Sequence, residues 1–96
     1  MNIGLSIKNF RKQLQPKVNQ LEFANKIGIT QTYLSQIETG AKIPNISIIQ
    51  EISKHFEIPT PILFWFSIEE SDISEDKKER FEYLKPTVDA MIKQFF

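Results

Sequence analysis

Apolar residues recur every three or four positions through the first two-thirds of the chain, and short polar breakers separate the runs. Ile3, Ile7, Phe10 and Leu14 fall on one helical face. They predict a first helix that ends before Pro16, since proline disfavours helical backbone in the residue before it. Asn19 with Glu22 three residues on has the pattern of a capping box, and Val18 with Phe23 that of a hydrophobic staple. A second helix is expected from about Gln20 to Ile27, stopped by Gly28. Thr30 should cap a third helix, Gln31 to Glu38, which gives way at Gly40. Pro44 and Asn45 precede a fourth helix with Ile46, Ile49, Ile52 and Phe56 on its apolar face. Thr60 and Pro61 read as a cap and first helical residue of a short fifth helix, Pro61 to about Ser67.

Residues 67–96 have a different texture. Ser71 to Asp76 is a polar linker, with Ser74 before Glu75 and Asp76 as its best helix start. Phe81, Leu84, Val88, Met91 and Phe95 then repeat at alternating spacings of three and four, and Pro86 interrupts them. A kink, or two helices meeting near Lys85, is expected there. No two-residue alternation bounded by turn signals occurs anywhere, so the fold class is all-α. Residues 1–67 are expected to form the domain and residues 68–96 a helical extension.

Composition narrows the chemistry. Ninety-six residues suffice for one small domain and exclude a second. The absence of cysteine rules out disulfides and thiolate metal sites, and a single histidine cannot build a histidine-rich one. No metal and no cofactor is therefore expected. No apolar run approaches the roughly 20 residues that span a bilayer, and the start lacks the blocks of a secretory signal. A cytoplasmic protein without membrane contact is the expectation, and the shortage of catalytic side chains argues against an enzyme. The net charge of zero hides an asymmetry. Residues 1–66 carry seven basic side chains against four acidic ones, whereas residues 67–96 carry five against eight. The N-terminal part is thus mildly suited to a polyanion.

Residues 20–39 carry the most specific pattern. Ala24 is small where a second helix would cross, Gly28 follows four residues later, and Leu34 and Ile37 can pack back over Ala24 and Ile27. That is the spacing of a helix-turn-helix. The stretch Phe23-Ala24-Asn25-Lys26-Ile27-Gly28-Ile29-Thr30, with Ile37-Glu38-Thr39-Gly40 and then Pro44, resembles the Cro- and phage-repressor-like (Xre) family of helix-turn-helix regulators. The resemblance covers residues 3–66 and implies a five-helix lambda-repressor-like domain that binds double-stranded DNA. One departure is visible. The segment between Arg11 and Gln20 is about two residues longer than the usual family pattern and contains Pro16.

Helical geometry sorts the third helix by itself. At about 100° per residue, Leu34 and Ile37 define the inward direction. Thr32, Gln36 and Ser35 then point outward, flanked by Gln31 and Tyr33. Neutral amides and hydroxyls on an exposed face suit base edges, since glutamine pairs bidentately with adenine and a threonine methyl meets a thymine methyl. The candidate base readers are therefore Gln31, Thr32, Tyr33, Ser35 and Gln36, the alternative being plain solvent exposure. Free N–H groups at the start of helix 2 place Asn19 and Gln20 as phosphate ligands. The family resemblance implies the same for Gln20, and for Lys42 and Asn45 beyond the recognition helix; Thr30 and Thr39 at the two ends of helix 3 complete the phosphate set. The resemblance also implies a structural pair, Arg11 with Glu38. His55, at the end of helix 4, is accounted for by its place at a helix C-terminus.

Two functions compete. The first is a sequence-specific DNA-binding transcriptional regulator, a repressor acting as a homodimer. Its interface would draw on Phe64, Trp65, Phe81, Leu84, Val88, Met91 and Phe95, against the alternative that the extension merely caps its own domain. The second is the antitoxin of a toxin–antitoxin pair, holding a toxin-like protein partner through the C-terminal part.

Overall fold

Each of the first four helices opens on a side chain that accepts a backbone N–H. Asn2 Oδ1 accepts from Leu5, Asn19 Oδ1 from Glu22, Thr30 Oγ1 from Tyr33 and Asn45 Oδ1 from Ile48, all at 2.9–3.1 Å. These bonds satisfy N–H groups that no helix can satisfy internally. The computed structural model describes residues 1–96 and contains no strand. Its helices are α1 (Ile3–Gln13), α2 (Gln20–Ile27), α3 (Gln31–Glu38), α4 (Ile46–His55), α5 (Thr60–Trp65) and α6 (Lys78–Phe95).

Helices α1–α5 share one core, built from Ile3, Ile7, Phe23, Ala24, Leu34, Ile37, Ile49, Ile52, Phe56, Ile58 and Leu63. Phe56 stacks between Phe10 and Phe23, with ring centroids 5.4 and 5.1 Å away. Helix α1 lies so close on α3 that a Cβ at Gly4 would overlap the Ile37 carbonyl. The Asn2 N–H donates to the Ser67 carbonyl at 2.8 Å, tying the start of α1 to the chain after α5.

Helix α6 has no buried residue and docks by a few contacts. The Trp65 indole N–H donates to Asp89 Oδ1 at 2.7 Å, and the Lys85 ammonium donates to Asp89 Oδ2 at 2.6 Å. The Trp65 ring meets Phe81 at 5.8 Å, and Lys85 Nζ lies 5.9 Å from the centre of the Phe66 ring.

Four local expectations need correction. Glu22 does not return a bond to the Asn19 N–H, so only the forward half of the box forms. Thr60 is the first residue of α5 rather than its cap. Pro59 precedes it and offers no side-chain acceptor. Ser74 opens a short 3₁₀ turn, Glu75–Lys77, and α6 begins only at Lys78. Finally, Pro86 does not divide the last helix, which runs unbroken from Lys78 to Phe95. The missing Pro86 N–H deprives α6 of one backbone bond, but the Lys85–Asp89 ion pair bridges the site, and half-buried Phe81, Val88 and Ile92 hold both sides down.

Candidate nucleic-acid interface

The two helices of the reading unit meet because their contact is small and their turn is permissive. Ala24 is fully buried, and Gly28 adopts φ 79°, ψ 28°, the left-handed conformation that costs glycine least. The Ile29 N–H then returns to the Ala24 carbonyl at 3.0 Å and closes the turn. Leu34 and Ile37 are both 0% exposed, which rotates the opposite face of α3 to solvent. On that face Gln31 and Thr32 are exposed, while Ser35 and Gln36 are half-exposed. Tyr33 is half-exposed as well, and part of it packs against the core.

The loop after α3 is folded back on the helix. Gly40, at φ 84°, donates to the Ile37 carbonyl at 3.1 Å, and the Lys42 N–H donates to the Gln36 carbonyl at 3.1 Å. Lys42 Nζ lies 6.0 Å from the centre of the Tyr33 ring, a cation–π distance. The exposed Lys42 charge is therefore held beside the outward face of α3. Sequence reading missed this contact, since the nine-residue interval crosses a loop whose path only the fold supplies.

The phosphate set divides into three groups. Asn19, Thr30 and Asn45 use their side-chain oxygens as helix caps, which leaves the two amide NH₂ groups and the Thr30 hydroxyl proton available to an anion. Thr39 donates its hydroxyl to the Gln36 carbonyl at 3.2 Å and has no proton left to give in this rotamer. Gln20 is the main departure: its amide Nε2 donates to Glu38 Oε1 at 2.9 Å. Its side chain thus orients the ion pair, and the open N–H groups at the start of α2 are what face outward there.

That ion pair is the best-defined polar feature of the molecule. Arg11 Nε donates to Glu38 Oε2 at 2.7 Å and Nη2 to Glu38 Oε1 at 2.9 Å, a bidentate fork. Arg11 Nη1 donates to the Val18 carbonyl at 3.1 Å, so one guanidinium links α1, the α1–α2 loop and α3. Burial alone pushes the Glu38 carboxyl up; the hydrogen bonds from Arg11 and Gln20, with the Arg11 charge, outweigh it and hold the carboxyl below its ordinary value. The hydrogen bond to Glu38 raises Arg11 in turn. The pair fixes the pitch of α3 on α1 and is itself turned away from any ligand, both residues being buried.

The extension residues also separate. Phe64 packs on the core, and Trp65 and Phe81 pack on each other, so these belong to the molecule's own fold. Leu84, Met91 and Phe95 are 52, 58 and 76% exposed and, with half-buried Val88, form one continuous stripe along α6. His55 Nδ1 lies 3.1 Å from the Glu51 carbonyl oxygen, with its ring edge-on to Phe23.

A small core that presents a short, polar-faced helix behind a glycine turn is a helix-turn-helix DNA-binding domain. A family model described as Helix-turn-helix matches residues 7–63, more than half of the chain. The chain belongs to this family, in its Xre-like branch, and is a DNA-binding transcription regulator whose partner is double-stranded DNA. No curated protein and no solved structure matches it. No helix is long and apolar enough to cross a membrane.

Proposed function

We propose that the chain is a cytoplasmic repressor, without catalytic activity, that binds a near-palindromic operator as a homodimer. Helix α3 enters the major groove, where Gln31, Thr32, Ser35 and Gln36 meet base edges and Tyr33 supports them from the side. Lys42, the amides of Asn19 and Asn45, the Thr30 hydroxyl and the open N–H groups at the start of α2 hold phosphates on either side. The observation that carries this reading is the division of α3. Its core face is fully buried, and its outward face is neutral and polar, suited to base edges rather than to solvation alone.

Dimerisation is inferred from the exposed stripe Leu84–Val88–Met91–Phe95. Contiguous apolar surface on a small protein usually marks an interaction site, and paired half-sites are how this fold gains affinity. A dimer spanning two major grooves would occlude the duplex to polymerase, hence repression. Sedimentation tests the pairing: the full chain should be a dimer at micromolar concentration, and Met91→Glu, placing a charge in the stripe, a folded monomer. A full chain that is monomeric at high micromolar concentration overturns it. The same stripe also fits an antitoxin's partner protein. Stoichiometric co-purification with the product of an adjacent reading frame, with the stripe protected, would establish that reading instead.

A further inference from the structure

The exposed stripe on α6 has a symmetry of its own. Leu84, Val88, Met91 and Phe95 are spaced by four, three and four residues, an order that reads the same from either end. At about 100° per residue, all four fall within about 60° of the helix circumference. The contacts that dock α6 on its own domain run from Phe81 and Asp89 to Trp65 and from Lys85 to the Phe66 ring. They lie about a quarter-turn round the helix from the stripe, so the stripe can be covered while α6 stays docked. On its open side the stripe is flanked by Thr87 and Gln94, both exposed and both neutral, and nearer the start of the helix by Arg80, which has no ion-pair partner.

We infer that the occupant of this stripe is α6 of a second copy of the chain, running antiparallel. The inference rests on the dimer reading and specifies its geometry. In a register centred between Val88 and Met91, Leu84 faces Phe95 of the second copy and Val88 faces its Met91, each pair occurring twice by two-fold symmetry. Every layer then joins a larger side chain to a smaller one, and the two axes keep one separation along the roughly 16 Å of stripe. A parallel pair would set each residue against itself. Val88 on Val88 and Phe95 on Phe95, two layers about 10 Å apart, require different distances between the axes. The flank agrees. Antiparallel pairing brings Thr87 beside Gln94 of the second copy, a hydroxyl next to an amide, and carries Arg80 about 6 Å past the level of its Phe95, clear of its lysines. Parallel pairing instead brings Thr87 beside apolar Ile92 and Arg80 beside Lys85. A neutral face that is self-complementary in its layers and its flank fits a copy of itself, since a two-fold interface is the case in which both partners share one pattern.

The chain has no cysteine, so each one introduced is unique. The test uses the full chain without DNA, as two single variants at exposed positions, Leu84→Cys and Phe95→Cys, mixed in equal amounts and mildly oxidised. The mixed disulfide should predominate, and neither variant alone should link to itself. Antiparallel pairing leaves two copies of position 84 about 16 Å apart along the axis, far beyond the roughly 7 Å that a disulfide can bridge. Thr87→Cys with Gln94→Cys, which leaves all four apolar residues in place, is the second pair, and a short bifunctional thiol reagent should likewise give the mixed product. Sedimentation of the reduced proteins reads the dimer separately. A dimer in which Leu84→Cys links to itself as readily as to Phe95→Cys overturns the antiparallel geometry and leaves the dimer reading standing. A dimer that gives neither mixed product places the second copy elsewhere, and a Leu84→Cys variant that links only to a co-purified protein of different mass gives the stripe to a foreign partner; both overturn the proposal. A chain monomeric at high micromolar concentration overturns it together with the dimer reading.

Discussion

Arg11→Ala separates a structural arginine from a DNA-contacting one. The substitution removes both bonds to Glu38 and the bond to the Val18 carbonyl, leaving a carboxylate whose side chain is 1% exposed with only the Gln20 amide. Removing one member of a buried pair costs about 3–5 kcal/mol. The lower end applies here because Gln20 remains bonded to Glu38. With about 4–8 °C of melting temperature per kcal/mol for a domain near this size, a cost of about 3 kcal/mol lowers Tm by at least about 12 °C. The loss should also depend on pH. In the parent, Glu38 titrates below its ordinary value of 4.5, so its contribution is present above about that pH and fades as pH falls through the depressed value. In the variant the Arg11 hydrogen bonds and charge no longer oppose burial, so the carboxyl titrates higher than in the parent. Lowering the pH neutralises the stranded charge, and the stability gap between parent and variant narrows. Far-UV circular dichroism melts at neutral pH and near pH 4 read both effects, and salt-dependent DNA affinity per folded molecule should change little. A variant that melts within a few degrees of the parent but has a shallower salt slope would refute this account and make Arg11 a phosphate ligand.

The remaining outcomes concern reading, packing and the extension. Gln36→Ala should cost about 1–3 kcal/mol on the preferred site and relax preference at one position, whereas Lys42→Ala should weaken all sequences alike and reduce the salt slope by about one. Gly4→Ala should destabilise by about 1–3 kcal/mol or more, the usual cost of overpacking, since the new Cβ meets the Ile37 backbone and α1 must lift from α3. Trp65 is the single tryptophan, so Asp89→Ala, which removes its hydrogen-bond partner and the Lys85 ion pair, should shift its fluorescence to the red as α6 loosens. An unchanged emission maximum would mean that Asp89 does not hold α6.

Helices α2 and α3 were legible in the sequence to the residue because local chemistry defines their ends. Asn19 and Thr30 cap them, and Gly28 and Gly40 take positive φ where they stop. The inward residues Leu34 and Ile37 followed from helical period alone. Errors gathered where tertiary contacts override local preference. Pro86 signals a break, yet packing on both sides carries α6 through it. Thr60 and Ser74 are good caps by residue type, but neither side chain accepts a helix N–H. The Gln20 bond to Glu38 spans eighteen residues and depends on how α1, α2 and α3 converge, so no local pattern announces it. The split of the extension into Trp65 and Phe81 turned inward and Leu84, Met91 and Phe95 turned outward was equally hidden. An apolar stripe read from sequence does not say which part of it the molecule uses for itself.

Selection of bound sites from random duplex DNA by the purified full chain tests the central claim most directly. The account predicts enrichment of a near-palindrome whose half-site centres lie about one helical turn apart, roughly 34 Å or 10 base pairs, with Gln36→Ala losing preference at one symmetric pair of positions. No enriched sequence, or an enriched site whose preference survives substitution of Gln31, Thr32 and Gln36 together, would show that α3 does not read the DNA.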